Sequence, residues 1–274
     1  MISLPLSRSG KTVLEVACHA AEEAGELLLQ RLSGEKHIEY KAGRANIVTD
    51  VDLLAEKHII DILRREYPSF GILSEESEAI IGDSPLTWII DPIDGTNNYA
   101  FGIPFFCVTL ALADAECVLL GVTYDPVRKE LFHAEQGKGT FRNNNPVSVS
   151  QRQTVKASII GCDMGYDPDK GKRVLDAIMS LWPNMHGIRL MGSAALGLAY
   201  VACGRLDLYL QPCLFPWDIA SGILLVREAG GNVLDWDGTP ASPQTQRVIA
   251  GNNILHNEFR RLIGKAGTPL ASFL

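Results

Sequence analysis

The stretch Trp88-Ile89-Ile90-Asp91-Pro92-Ile93-Asp94-Gly95-Thr96-Asn97 constrains this chain more than any other. Three apolar residues read as a buried strand that ends on an aspartate. Pro92 cannot donate to a ladder, and Asp94 precedes a glycine and a threonine suited to opening a helix. Two carboxylates therefore converge at one sheet edge. At a separation of about 4 Å they would repel by roughly 4 kcal/mol at an effective dielectric near 20, so both stay ionised only with a cation between them. Hard oxygen ligands of this kind suit magnesium. Gly95 lets the backbone approach closely, and the amides of Gly95 and Thr96 are placed to cradle a phosphate oxygen. The alternative is an Asp-x-x-Asp-Gly turn with solvated carboxylates, and the rest of the chain has to decide between the two.

The surrounding composition is that of a globular protein. Hydrophobic residues make up 46% and charged residues 21% of the 274 residues, enough for a sizeable core without disulfides or structural metals. The formal net charge of -7 sets the average surface against a polyanion, and no basic patch interrupts it, so nucleic acid is not an expected partner. The acid excess has a second reading, a site that gathers carboxylates around divalent ions. Cys18, Cys107, Cys117, Cys162, Cys203 and Cys213 form no C-x-x-C pair and sit mostly in apolar runs, so buried, reduced thiols are expected. The six histidines fall in no spaced pair of zinc-ligand type. Met1 to Lys11 lacks a basic start followed by a long apolar stretch, and no later run reaches membrane-spanning length; the reading is a soluble, cytoplasmic protein with no membrane partner.

Apolar positions recur at helical spacing from Val13 to Leu32. A charged, glycine-bearing segment from Glu35 to Ala45 follows. Thr49 or Asp50 then caps a second helix with Leu54, Ile59, Ile60 and Leu63 inward, and Pro68 ends it. Strands are predicted at Gly71 to Ser74, Trp88 to Ile90, Phe106 to Leu112, Val118 to Tyr124 and Glu130 to Ala134. Beyond Val149 the pattern alternates, with strands at Ser158 to Gly161, Leu206 to Leu210 and Val248 to Ala250. Helices are predicted there at Gly171 to Leu181, Ser193 to Ala202 and Asp218 to Ala229. The chain reads as mixed α/β (α+β), in two halves: residues 1–150, with most candidate metal ligands, and residues 151–274, with substrate contacts and Asp218.

Two further acidic points stand out. In Ile72-Leu73-Ser74-Glu75-Glu76 an apolar strand again ends in carboxylates, for which a solvated turn is the alternative. In Phe215-Pro216-Trp217-Asp218-Ile219 an acid between large apolar residues starts a long apolar helix, for which a simple helix cap is the alternative.

With these residues in view, the chain resembles the inositol monophosphatase family of lithium-sensitive, magnesium-dependent phosphatases. Asp91-Pro92-Ile93-Asp94-Gly95-Thr96 matches the family's first signature. Trp217-Asp218-Ile219-Ala220-Ser221-Gly222, running on to Glu228-Ala229-Gly230-Gly231, matches its second. The order also fits, from a mobile-loop lysine (Lys41) through Val48 to Asp52 and the Glu75-Glu76 pair to Gly192-Ser193-Ala194-Ala195, so nearly the whole chain is covered. The resemblance implies a layered α-β-α-β-α sandwich and two to three Mg2+ ions, with Mn2+ an alternative, since oxygen ligands serve both. It also implies that Glu75, Asp91 and the Ile93 carbonyl hold one ion, and that Asp91, Asp94 and Asp218 hold the second. Thr96, bonded to Asp52, would act with Glu75 to orient and activate the attacking water, without a covalent phosphoenzyme. Members often pair as homodimers.

For the substrate, the resemblance implies contacts from Gly192, Ser193 and Ala194 to sugar or cyclitol hydroxyls, with Asp94 and Asp218 able to accept a hydroxyl bond. The chain departs from the family at Gln211. Seven residues before Asp218, animal inositol monophosphatases carry a glutamate, whereas an amide here both donates and accepts. The expected substrate is inositol 1-phosphate or a similar small polyol or sugar phosphate. Fructose 1,6-bisphosphate or a nucleotide such as nicotinamide dinucleotide phosphate is the alternative within the same chemistry. A non-catalytic regulatory protein on this fold would be expected to have lost ligands that this chain retains.

Overall fold

A computed structural model describes residues 4–42 and 46–267. The chain runs through α1 (Val13–Arg31), β1 (Ile38–Ala42), β2 (Asn46–Thr49), α2 (Asp50–Glu66), β3 (Gly71–Ser74), β4 (Thr87–Asp94) and α3 (Thr96–Ala100). Strands β5 (Cys107–Ala113), β6 (Val118–Asp125), β7 (Glu130–Glu135), β8 (Thr140–Arg142), β9 (Asn145–Val147) and β10 (Ile159–Cys162) follow. The remainder comprises α4 (Pro168–Leu181), β11 (Gly187–Leu190), α5 (Ala194–Ala202), β12 (Leu208–Pro212), α6 (Pro216–Glu228), β13 (Asn232–Leu234), β14 (Arg247–Gly251) and α7 (Asn253–Ala266).

The large sheet has the order β3-β4-β5-β6-β7-β8-β9 and is antiparallel except where β3 pairs with β4. Its central strands bury both faces, and residue parity assigns each face to a different core. Trp88, Ile90, Val108, Leu110, Leu112, Leu120 and Val122 pack with Val16, Ala20, Ala24, Ala55 and Ile59 of α1 and α2. Ile89, Ala111, Ala113, Phe132 and Ala134 point the other way, into a core with Leu198 of α5 and Ile223 of α6. That middle core continues to Tyr209, Val248 and Ala250 of the second sheet, whose order is β11-β10-β12-β14-β13. On the far side Ile160, Leu208 and Ile249 meet Val174, Ile178 and Phe259 of α4 and α7. Three cores separate five layers, α-β-α-β-α, as expected.

The helices show the same logic. Every residue from Ile219 to Val226 of α6 is buried, because a helix between two sheets has no solvent face. Its closest neighbour is α5, where an added Cβ at Gly222 would lie 2.3 Å from Leu198 Cδ1; overpacking of this kind costs about 1–3 kcal/mol. Both N-terminal helices start on capping boxes, Thr12 with Glu15 and Thr49 with Asp52. Thr49, not Asp50, is the cap of α2.

Some expectations need correction. Leu54 is 40% exposed and Ile60 half-buried; the inward face of α2 is instead Val51, Ala55, Ile59, Ile62 and Leu63. The segment expected only to be charged and loop-like holds the β1–β2 hairpin, with Ile38 opposite Thr49 and Tyr40 opposite Ile47; Gly43, Arg44 and Ala45 lie outside the described residues. Of the cysteines, Cys107 and Cys162 are buried and the other four half-buried, all as free thiols. Among the described residues no helix is long and apolar enough to cross a membrane.

Candidate active site

The site begins with a break in a ladder. Asp91 lies opposite Thr109 and Asp94 opposite Cys107, so β4 advances three residues where β5 advances two. Residues three apart on a regular strand point to opposite faces; the bulge at Pro92-Ile93 turns Asp91 and Asp94 to the same face. That is the face of Ile89, toward α5 and α6. There the N-terminus of α6 brings Asp218 to them. Oxygens of Asp91, Asp94 and Asp218 all lie within 4.8 Å of one another. Asp91 and Asp94 are buried, at 2% and 6% exposure.

Each acid is fixed differently. Asp91 Oδ1 accepts the Ile93 N–H at 2.9 Å, an Asx turn across the bulge. Asp94 reaches the start of α5, where its oxygens accept the Ala194 N–H at 3.2 Å, the Ala195 N–H at 2.9 Å and the Ser193 hydroxyl. Asp218 Oδ2 accepts the Phe215 N–H at 2.7 Å, as the third residue of its own helix. Thr49 donates to Asp52 from its N–H at 2.8 Å and its hydroxyl at 2.5 Å. The second oxygen of Asp52 faces the Thr96 hydroxyl at 3.1 Å, and that hydroxyl also lies 3.0 Å from the Ile93 carbonyl. The Lys41 ammonium bonds Glu75 at 2.9 Å and Glu76 at 2.6 Å.

The electrostatics are those of a cluster that calls for a cation. Burial, reinforced by Glu75, Asp94, Asp218 and Asp52, holds the Asp91 carboxyl well above the ordinary aspartate range. Burial and Asp94 do the same to Asp218. Burial pushes Asp52 and Asp94 up to about 6 against the hydrogen bonds they accept, and it pushes Glu76 up to about 7 with help from Glu75. A hard, all-oxygen donor set of this density fits divalent magnesium or manganese; Asp91, Asp94 and Asp218 are placed to hold an ion, with the charge of Glu75 next to them.

Asp94, Gly95, Thr96, Gly192, Ser193, Ala194, Gln211 and Asp218 line one open cavity of about 190 Å3. Asp91, Ile93 and Asp52 join it through the contacts above without lining it; Glu75, paired with Lys41, also does not line it and acts on Asp91, Asp94 and Asp218 through its charge. Five residues that sequence reasoning passes over complete the wall: Asn97, Asp163, Met164, Gly165 and Tyr166. Asp163 follows the strand Ile159–Cys162 as Asp91 follows Trp88–Ile90, so the same signal, an apolar strand ending in an acid, marks it. Its Oδ1 accepts the Met191 N–H at 3.0 Å and the Gly192 N–H at 2.7 Å. Its Oδ2 accepts the Tyr209 hydroxyl at 2.7 Å, and that hydroxyl also abuts the side-chain amide of Gln211. Asn98 ties the two sheets together, donating to the carbonyls of Phe105 at 2.8 Å and Met191 at 3.0 Å.

Comparison with known proteins places this arrangement. The profile of the inositol monophosphatase family matches residues 10–267. Inositol monophosphatase 3 of Solanum lycopersicum is 38% identical over 261 residues, covering 92% of this chain and 96% of that protein. Nus factor SuhB of Xylella fastidiosa is 37% identical, covering 94% and 96%. The crystal structure of extragenic suppressor protein suhB from Bartonella henselae superposes with a TM-score of 0.88 at 40% identity, covering 92% of this chain and 98% of that one. A full-length match of this extent, on a fold of the same layers, makes the chain a phosphatase belonging to the inositol monophosphatase family.

Proposed function

We propose that this phosphatase hydrolyses inositol 1-phosphate or a similar small polyol monophosphate, with two to three Mg2+ ions as cofactors and water as the attacking group. The observation that carries the reading is the convergence of Asp91, Asp94 and Asp218 beside a cavity whose other wall offers hydroxyl-binding groups. Bound divalent ions there supply an acidified water and neutralise charge on the phosphoryl and leaving oxygens. Glu75, Asp91 and the Ile93 carbonyl would hold one ion, and Asp91, Asp94 and Asp218 would hold a second.

The chain's own residues position the reactants. Thr96, held by Asp52, orients the water together with Glu75, while the amides of Gly95 and Thr96 receive a phosphate oxygen. Ser193 and Ala194, at the start of α5, face the polyol with Gly192 and Gln211. Positioning and charge stabilisation suffice, because phosphoryl transfer places little covalent demand on a protein. Lithium sensitivity, a cytoplasmic site of action and a homodimer accompany this reading. For the dimer, the exposed Phe101, Ile103 and Leu190 offer apolar surface.

The neutral Gln211 favours a second reading, a phosphatase of broader range acting on fructose 1,6-bisphosphate or nicotinamide dinucleotide phosphate, because the side chain at position 211 itself carries no charge to repel a further phosphate. A phosphate-release panel over inositol 1-phosphate, fructose 1,6-bisphosphate, nicotinamide dinucleotide phosphate and adenosine 3',5'-bisphosphate, with Mg2+ and with Li+ added, decides between them. Inositol 1-phosphate should rank first and lithium should inhibit; a bisphosphate ranking first removes the polyol reading.

A further inference from the structure

One phenol, two acceptors and one proton meet beside the substrate wall. Tyr209 is fully buried, and its hydroxyl faces both Asp163 Oδ2, at 2.7 Å, and the side-chain oxygen Oε1 of Gln211. Asp163 is itself 9% exposed and already takes two backbone N–H bonds from Met191 and Gly192 through its other oxygen. A phenol has a single proton to give. A charged carboxylate competes for it better than a neutral amide oxygen, since charge-assisted hydrogen bonds are about twice as strong. With the proton committed to Asp163, the phenol oxygen is left as an acceptor. An amide oxygen set against it would be two lone pairs with no hydrogen between them. Exchanging the oxygen and nitrogen ends of the amide, which share one planar outline, resolves this: the nitrogen then faces the phenol as a donor, and the oxygen of Gln211 turns into the cavity.

We propose that Asp163 and Tyr209 are positioning residues that lock the Gln211 amide with its oxygen toward the substrate, so that the wall accepts a hydroxyl and disfavours a second phosphate. This rests on the polyol monophosphate reading and sharpens it. A hydroxyl donates to the amide oxygen, whereas a phosphate dianion offers only acceptors to that oxygen and to the Asp163 charge behind it. The buried carboxylate thus gives a neutral glutamine the polarity of an acceptor without placing a second full charge on the substrate. Gly161 and Gly197 hold the ring in place, because a Cβ at either would lie 3.1 Å or less from Tyr209 ring atoms. The orientation is therefore built into the sheet and not set by solvent.

The test measures kcat and KM for inositol 1-phosphate and for a phosphate ester without ring hydroxyls, in the wild type, Tyr209→Phe, Asp163→Asn and the double variant Tyr209→Phe/Gln211→Glu. Releasing the amide should lower the preference for inositol 1-phosphate over the simple ester by about tenfold, through KM, because one substrate hydrogen bond is lost. The double variant should recover the preference, since either oxygen of a carboxylate accepts. Equal losses on both substrates, or an unchanged preference in both single variants, would overturn the proposal. An activity-independent readout separates it from the substrate assignment: with 15N-labelled glutamine side chains, the Gln211 amide protons should be protected from exchange in the wild type and lose that protection in Tyr209→Phe. Protection with no turnover of any polyol monophosphate sinks the substrate reading alone, and absence of protection in the wild type sinks the relay.

Discussion

Asp91 and Asp207 are buried almost equally, at 2% and 1% exposure, and their surroundings are opposite. Asp207 accepts the Ile159 N–H at 2.7 Å and pairs with the Arg152 guanidinium at 3.0 Å. Asp125 is compensated in the same way by Arg128. Asp91 has one N–H from its own turn and faces the charges of Glu75, Asp94, Asp218 and Asp52. Burial alone therefore does not mark a functional acid. What distinguishes the two is where compensation comes from: the chain itself for Asp207 and, under the proposed function, a divalent cation for Asp91.

The comparison breaks most readily at Asp91. In Asp91→Asn, turnover should fall by about a thousandfold or more, because the amide cannot hold ions and reacting oxygens together. The metal-free protein should nonetheless melt at a higher temperature than the wild type, since a repelling charge has gone. A lower Tm without metal would mean that Asp91 is compensated as Asp207 is. The converse variant, Asp207→Ala, leaves a buried N–H without its acceptor and should cost about 3 kcal/mol. In a domain of this size that is a loss of about 6–12 °C in Tm, with kcat at permissive temperature unchanged. A lost kcat at full stability would move Asp207 into the site.

The pH dependence sharpens the contrast. Burial lifts Asp52 and Asp94 in the folded state to about 6, from an ordinary value of 3.8. The folded state then binds more protons than the unfolded one, so without divalent ions stability is highest below about pH 4 and declines as the pH rises toward 6. With saturating Mg2+ the slope should reverse, because ion binding requires the ionised acids. Melting curves from pH 4 to 7 with chelator and with Mg2+ check both signs, and parallel curves would remove the cation from the account.

Much of this contrast is legible in the sequence, and the rest fails for identifiable reasons. The Asp91-Pro92-Ile93-Asp94 stretch reads directly, because proline and two strand-terminal acids leave few local structures open; the bulge that brings the acids to one face is the structural form of that constraint. The buried helices α5 and α6 read from continuous apolar runs. The β1–β2 hairpin does not, because its outward Ile38 and Tyr40, 38% and 68% exposed, alternate with Glu39 and Lys41 on a ribbon with little core to pattern it. Helix α7, absent from the elements predicted above, does carry a signal, in the Asn252 cap and the fourfold spacing of Leu255, Phe259 and Ile263. Leu54 misleads because the small Ala55 fills the inward position beside it. Within the site, Asp163 obeys the rule that finds Asp91, whereas Asn98 has no signature: its role depends on carbonyls of Phe105 and Met191 that meet only in the fold.

The smallest expected effect concerns Lys41, which among the described residues offers the cluster a cation of the chain's own. Lys41 bonds Glu75 and Glu76 with a quarter of its side chain exposed, at 26%, and its charge also favours ionised Asp218. This is weak compensation from a hairpin side chain, unlike the Arg152 bond that shares Asp207 with a backbone amide, and a partly exposed pair of this kind contributes about 0.5–1 kcal/mol. An ion taking Glu75 as ligand has to displace it. Lys41→Met should therefore tighten Mg2+, lowering the concentration for half-maximal activity by about two- to fivefold, the factor that such an energy corresponds to. If half-activation instead requires more Mg2+, Lys41 assists the ion-bound state rather than standing in for the ion, and the division between acids compensated from within and from without no longer runs through Glu75.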